Sequence, residues 1–267
     1  MKTKIILSVL ITGLIFSSCK KKVEDLQQSA NDNSVAESAF NDIYDQVENS
    51  YNSSTQNKSI TSTCAVITID KPDTTNFPKK VTIDFGTGCT DDRGITRTGK
   101  IIADISGKFR QTGTVVTVTL ENFTRNGNAI TGKKTITNNG PNAAGHYVYT
   151  INVNDASITT DKGTISWSSG RQREWISGFD TKWPNISDDE FLITGSVAGV
   201  NSLDREFSIE ITTALNIKRD CKWITAGVIE ITSELGQTRT LDYGDGTCDD
   251  KATLKIRNKT KEITLRH

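Results

Sequence analysis

Nine residues near the C-terminus, "DYGDGTCDD", concentrate acidic side chains that could bind a metal ion. A calcium ion takes six to eight oxygen ligands, often from carboxylates. The candidate ligands are Asp242, Asp245, Asp249 and Asp250. A similar stretch, "DFGTGCTDD", begins at Asp84 and has Thr87 at the position of Asp245. Because the two copies share glycine, cysteine and an Asp-Asp pair rather than a ligand set, we favour a strand-ending turn. A calcium site is the alternative.

The N-terminus predicts export and a lipid anchor. A short basic start is followed by the apolar run "IILSVLITGLIF" and then by "SSC", the layout of a secretory signal. The apolar run is shorter than the roughly 20 residues of a spanning helix. Because "IFSSC" resembles the lipobox of bacterial lipoproteins, we predict that residues 1–18 are removed and that Cys19 carries acyl chains such as palmitate. The anchored protein is expected in the outer membrane, in either the periplasmic or the surface-exposed leaflet.

Four cysteines remain after Cys19, and export favours disulfides between them. Three pairings are possible. The repeat selects one pairing. Each copy has a cysteine in its Asp/Gly stretch and a second cysteine before it, and the sequence separation of the two cysteines is similar in both copies. The predicted bridges are Cys64–Cys89 and Cys221–Cys248. A zinc site is disfavoured because neither C-x-x-C nor histidine spacing occurs.

Charge and motifs exclude several functions. Without Lys2 and Lys4 the mature chain has 30 basic and 32 acidic residues. Nucleic-acid binding, which calls for a basic face, is therefore not expected. There is no phosphate loop, dinucleotide fingerprint or haem motif, so no cofactor is expected.

One helix and a tether are predicted before the strands begin. Residues 19–33 are polar without an apolar period, which predicts a flexible tether. Ser34 and Glu37 form a capping-box pattern, which predicts a helix over about 35–50. Its apolar stripe is expected to dock on a sheet. The stripe comprises Ala36, Ala39, Phe40, Ile43, Val47 and Tyr51.

Alternating apolar and polar residues from about residue 63 onward predict an all-β domain. About fourteen such runs are separated by short turns, which predicts an antiparallel meander in a curved sheet or a sandwich. A hairpin is expected at Asn126-Gly127, and another at Ser169-Gly170. We predict a single domain over 34–267, because no linker-like stretch interrupts it. It contains two related disulfide-bracketed units, at about 63–105 and 220–266.

A tryptophan- and arginine-rich segment, 167–190, is the candidate ligand contact. Exposed tryptophans with polar neighbours can stack on sugar rings or hold a peptide. We favour core positions for Trp167 and Trp175, and Trp183 is the aromatic expected to be exposed. The candidate contact residues are Arg171, Arg173, Trp175 and Trp183.

Enzymatic activity is not favoured. The histidines are His146 and His267, and no G-x-S-x-G elbow is present. A carboxylate-based, glycosidase-like hydrolase stays open, because two catalytic acids need no fixed spacing. The acids considered for it are Glu174, Asp188, Asp189 and Glu190. A lipid or lipoprotein carrier is a further alternative.

The chain also resembles a known group of proteins. The lipobox with "CKKK", the segments "GTISWSSGRQREWISG" and "IKRDCKWITAGVIEI", and the paired "DFGTGC" and "DYGDGTC" motifs look like the uncharacterised lipoproteins widespread in Bacteroidota. The resemblance covers nearly the whole mature chain. It implies a β-rich envelope lipoprotein and brings no catalytic residues. We therefore expect a membrane-anchored, non-enzymatic binding or structural protein with a glycan or protein ligand.

Overall fold

A computed structural model of the chain describes residues 16–55, 64–71, 73, 75–181, 185–257 and 259–265. One helix, α1 Phe16–Thr55, precedes fourteen strands. The strands are β1 Val66–Ile69, β2 Lys79–Asp84, β3 Cys89–Thr90, β4 Thr96–Ile105, β5 Val115–Arg125, β6 Asn128–Pro141, β7 Tyr147–Thr160, β8 Gly163–Ser177, β9 Glu190–Val200, β10 Glu206–Lys218, β11 Ile224–Ser233, β12 Thr238–Asp245, β13 Lys251–Ile256 and β14 Lys259–Thr264.

The strands form one antiparallel meander, as the sequence predicts. Each strand pairs with its neighbours along the chain, except that the short β3 pairs only with β4 and lies off the main path. The edge strands β1 and β14 are not paired with each other, so the sheet is open. A single sheet rather than a sandwich therefore carries the whole domain.

The sheet wraps around α1. The helix accepts contacts from arginines on β4, β5 and β8 and from a lysine on β6, so strands far apart in the sheet reach the same helix. The predicted apolar stripe of the helix is confirmed. Its residues are between 0% and 7% exposed, from Ala36 to Tyr51. The concave face of the sheet and this stripe together form the hydrophobic core.

The helix is longer than predicted. It continues N-terminally through residues 19–33, which were predicted as a flexible tether, and Ser34 lies inside it rather than at its start. The segment contains neither glycine nor proline, and lysine, glutamate, leucine and glutamine all favour helices. Buried Ser29 and Asp32 also contact the turn after β9. Tertiary contact therefore extends the helix beyond the apolar stripe.

The two predicted units have matching strand arrangements. In each, a cysteine precedes an antiparallel hairpin and its partner follows the hairpin's second strand. The second strand then pairs with the next along the chain, with Ile83 opposite Ile101 in one unit and Leu241 opposite Leu254 in the other. Both disulfides have the predicted pairing, Cys64–Cys89 and Cys221–Cys248.

Candidate functional site

The tryptophans of the predicted contact segment lie in the core. Trp167 is 4% exposed, and its ring meets Phe40 of α1 edge-on at 5.2 Å between centroids. Trp175 is 7% exposed and packs against Phe179 and Phe191. The prediction of core positions is thus confirmed for both, and Trp175 does not lie on a ligand-accessible surface.

The arginines of this segment also face inward. Arg171 Nη2 lies 2.7 Å from Glu37 Oε1 of α1, and the Arg173 guanidinium sits 4.9 Å from the Phe191 ring centroid. These positions follow from strand alternation, which places odd-numbered residues of β8 on the concave face. Trp183 lies outside the described residues. Arg171 therefore pairs with the helix, Arg173 also lies 5.9 Å from the ring centroid of Tyr44 on the helix, and Trp175 packs within the core.

Ion pairs and hydrogen bonds connect α1 to the concave face of the sheet. Asp42 accepts hydrogen bonds from Arg97 Nη2 at 2.6 Å and Arg97 Nε at 2.9 Å, and it also pairs with Arg93 and Arg125. Buried Lys134 donates to the Phe40 carbonyl at 3.2 Å. The sheet and its turns supply the cations, and the helix supplies the acceptors. The helix therefore occupies the concave face of the sheet.

The acids considered for a hydrolase lie in different surroundings. Glu174 accepts from His146 Nδ1 at 2.7 Å, and this hydrogen bond lowers the pKa of Glu174. Asp188 accepts from the Thr181 hydroxyl at 3.0 Å. Asp189 is buried, and burial raises its pKa to about 6. Glu190 lines an open groove on the outer face of the sheet. The structure does not bring the four into one cleft.

An open groove of about 580 Å³ crosses the outer face of β9, β10, β11 and β12. We call it the outer groove. Small residues and backbone form its floor: Ala214, Ala226, Gly227, Gly244 and Gly246. Leu192, Thr213 and Val228 also line it. The charged and amide side chains of the lining are Glu190, Asn216, Lys218, Asp242 and Asp245.

Strand bulges create the hollow. The pairing of β10 with β9 shifts between Ile211 and Leu215, and that of β11 with β12 shifts between Ala226 and Val228. Gly227 has φ +110°, and a Cβ there would lie 2.5 Å from the Ala214 carbonyl oxygen. A larger residue would not fit this close approach. A glycine within an alternating strand was the available sequence signal for the groove, and sequence reasoning missed it.

Hydrogen bonds hold the lining residues of the outer groove. Glu190 Oε1 accepts from Asn216 Nδ2 at 2.7 Å, and Lys218 Nζ donates to the Gly246 carbonyl at 3.3 Å. Asp242 Oδ1 accepts from the Gly244 amide at 2.9 Å. The groove therefore presents carboxylate, amide and ammonium groups in fixed positions.

The aspartates of the opening motif cap nearby backbone. Asp84 accepts from the Gly86 amide at 2.9 Å, the same bond that Asp242 makes in the other unit. Asp245 accepts from the Thr247 amide and hydroxyl, and Asp249 accepts from the Lys251 amide. The bonds fit the strand-ending turn. In the described part of the chain, no three Asp, Glu, His or Cys side chains form a group suited to a metal ion.

Comparison with known proteins gives no relative. No family model, curated protein or solved structure matches the chain. Within the ranges that the structure describes, no helix has the length and apolarity of a membrane span.

Proposed function

We propose that the chain is a membrane-anchored envelope lipoprotein with a non-enzymatic binding role, and that the outer groove is its binding site. The observation that carries this proposal is the contrast between the two faces of the sheet. The concave face is filled by α1, whereas the outer groove is open. The lipid on Cys19 would hold the protein at the outer membrane.

The lining of the outer groove suggests the class of ligand. Carboxylates, an amide and an ammonium can donate to and accept from hydroxyl groups, which favours a glycan or a polar protein segment. Three carboxylates, Glu190, Asp242 and Asp245, outnumber the one ammonium, Lys218. This excess of negative charge repels phosphate, which supports the expectation that nucleic acid is not a partner.

The alternatives have weaker support. The three carboxylates of the groove favour a glycosidase-like hydrolase, but a general acid at neutral pH needs a raised pKa. Burial raises the pKa of Asp189 and Asp45, and neither residue lines the groove. A lipid carrier needs an apolar interior open to its cargo. Here Phe40, Ile43 and Val47 of α1 fill the concave face.

A binding screen with a groove-filling variant tests the proposal. The mature chain is screened against arrays of glycans and peptides, and the strongest binder is tested on Val228→Trp, which fills the groove. Thr117→Trp is the matched control, because it adds the same ring on the outer face of β5 away from the groove. We expect Val228→Trp to lower affinity about tenfold or more and Thr117→Trp to preserve it.

Two outcomes would overturn this proposal. Equal affinity of both variants would place binding elsewhere on the molecule. Cleavage of a bound glycan by the wild-type chain, detected by mass spectrometry, would replace binding with the hydrolase alternative.

A further inference from the structure

Exposed apolar side chains collect at one end of the molecule. Leu235 is 61% exposed in the turn between β11 and β12, and Leu203 is 47% exposed in the turn between β9 and β10. Val35, on α1 near Asp32, is 42% exposed. Among the described residues, these are three of the four exposed large hydrophobic residues. Turn tips usually carry small or polar residues, so two exposed leucines there call for an explanation.

The two leucine-bearing turns are neighbours. The Glu234 amide donates to the Glu206 carbonyl at 3.0 Å, and Arg205 pairs with Glu234 at 3.3 Å. Both turns, together with Ser29 of α1, line one small hollow. The leucines therefore belong to one surface, which we call the leucine end.

Helix α1 reaches the leucine end from the side of the predicted lipid anchor. Asn201 Nδ2 donates to the Ser29 hydroxyl at 3.0 Å, and the Ser202 amide donates to Asp32 at 2.7 Å. Cys19 lies ten residues before Ser29 in the same helix, which corresponds to roughly 15 Å along the axis. The anchor is thus close to this end of the sheet.

We propose that the leucine end contacts the membrane, with Leu203 and Leu235 in the interfacial layer of the leaflet that holds Cys19. The proposal rests on the lipid anchor of the proposed function. With α1 inclined to the bilayer, Cys19 and both leucines touch the same surface. The acyl chains predicted on Cys19 anchor the protein, and the added apolar contact of the two leucines fixes its orientation on the membrane. The basic run Lys20–Lys22 adds attraction to anionic lipids.

This orientation places the outer groove away from the lipid. The groove lies at the opposite ends of the same strands, where Lys218 ends β10 and Glu190 begins β9. β10 spans twelve residue steps from Glu206 to Lys218, or roughly 40 Å along the strand. The groove would therefore meet ligands in the aqueous compartment rather than in the bilayer.

A fluorescent probe at the leucine end tests the contact. The four cysteines after Cys19 are paired in the two disulfides, and Cys19 carries the lipid in the protein tested, so Leu235→Cys supplies a free thiol for an environment-sensitive fluorophore. The matched control is Lys108→Cys, exposed beside Phe109, which packs on Tyr51 near the other end of α1. The lipidated full chain is placed in vesicles of phosphatidylethanolamine and phosphatidylglycerol that contain nitroxide-labelled lipid. We expect a blue shift and loss of most fluorescence at residue 235, and neither change at residue 108.

Lipidation of Cys19 is measured separately, from the mass of the N-terminal peptide. A lipidated chain whose probes at 235 and 108 are quenched alike would overturn the membrane contact and leave the anchor standing. Where neither probe is quenched, α1 is a stalk that holds the sheet off the bilayer. An unmodified Cys19 would overturn the lipid anchor and with it the membrane contact, whereas binding in the outer groove is decided by its own test.

Discussion

At the scale of single residues, one buried carboxylate of α1 pairs with three arginines, of which two lie on β4 and β5 and one in the turn between β3 and β4. Asp42 is 7% exposed and pairs with Arg93, Arg97 and Arg125. Arg97 is 1% exposed, and Asp91 is its second acidic partner. A buried cation that loses its main partner is strongly destabilising, because water cannot replace the lost interaction.

We predict that Asp42→Asn lowers the free energy of unfolding by about 3 kcal/mol, measured by urea denaturation. The control is Asp104→Asn, which breaks the 3.8 Å surface pair with Lys80. Both partners of that pair are exposed, so its loss should change the free energy by about 0.5 kcal/mol or less. Equal losses in the two variants would show that the arginine cluster does not stabilise the docked helix.

The residues of β8 show what alternation alone can predict. Trp167, Arg171, Arg173 and Trp175 share one parity, so the sequence places them on one face of a strand. The sequence does not show whether that face is exposed to solvent, because arginine is usually exposed and tryptophan occurs in both buried and exposed positions. The covering element is α1, more than a hundred residues earlier. The arginines were therefore expected at a ligand, whereas Arg171 pairs with Glu37 of the helix.

At the scale of elements, turn chemistry predicted some boundaries and missed others. The hairpin at Asn126-Gly127 is confirmed, with φ of 50° and 81° at the two residues. The hairpin at Ser169-Gly170 is wrong, because Gly170 pairs with Asn152 on one side and Ser196 on the other within a continuous β8. Serine and glycine within a strand resemble a turn in sequence. Only the neighbouring strands distinguish the two.

The two disulfides provide a matched pair for a test of the elements that they join. Their sequence separations are 25 and 27 residues. Each double Cys→Ser variant should lose about 3 kcal/mol of unfolding free energy, since closed loops of similar length restrict the unfolded chain similarly. Cys221 and Cys248 also fix the strand ends that carry Lys218 and Gly246 of the outer groove. Ligand affinity should therefore fall only in the variant without this second bridge.

Denaturation and binding assays on both variants, with mass mapping of the non-reduced chain, check this prediction. Cross-paired cysteines would refute the internal repeat as a guide to the bridges. A fall in affinity that is the same in both variants would separate the second bridge from the groove.

At the scale of the whole molecule, a formal net charge of zero conceals a division of charge. Helix α1 contributes acids to the interior, such as Glu37 and Asp42, and the sheet contributes cations, such as Arg97 and Arg171. The outer groove has an excess of carboxylates. Composition gave no indication of this division, because it depends on which strand face meets the helix.

Buried Asp189 should make global stability depend on pH. Burial raises its pKa to about 6, against about 3.9 in an unfolded chain, although Arg110 and Arg219 act to lower it. Between about pH 4 and 6 the folded state holds the proton more tightly, so this residue's contribution to the free energy of unfolding falls as pH rises. Above about pH 6 the contribution is constant.

We predict that Asp189→Asn removes this part of the pH dependence and gains stability relative to wild type as the pH rises from 4 to 7, with denaturation curves as the measurement. Asp161→Asn, at an exposed aspartate in the turn between β7 and β8 and at the other end of the strands from Asp189, is the control and should follow the wild-type profile. A difference between Asp189→Asn and wild type that is the same at every pH would contradict the assignment.

The contacts of α1 have a consequence for the order in which the chain folds. The helix is synthesised first, yet the hydrogen bond from Asn201 that holds Ser29 joins residues 172 positions apart. The strands pair with sequence neighbours and can assemble progressively, whereas the N-terminal half of the helix gains its partners only after β9 and β10 have formed. During this interval the N-terminal half of the helix is uncovered, beside the membrane at which the proposed lipid on Cys19 would hold it. The formation of β9 and β10 thus completes the burial of α1. A chain truncated before these strands would leave the N-terminal half of α1 exposed.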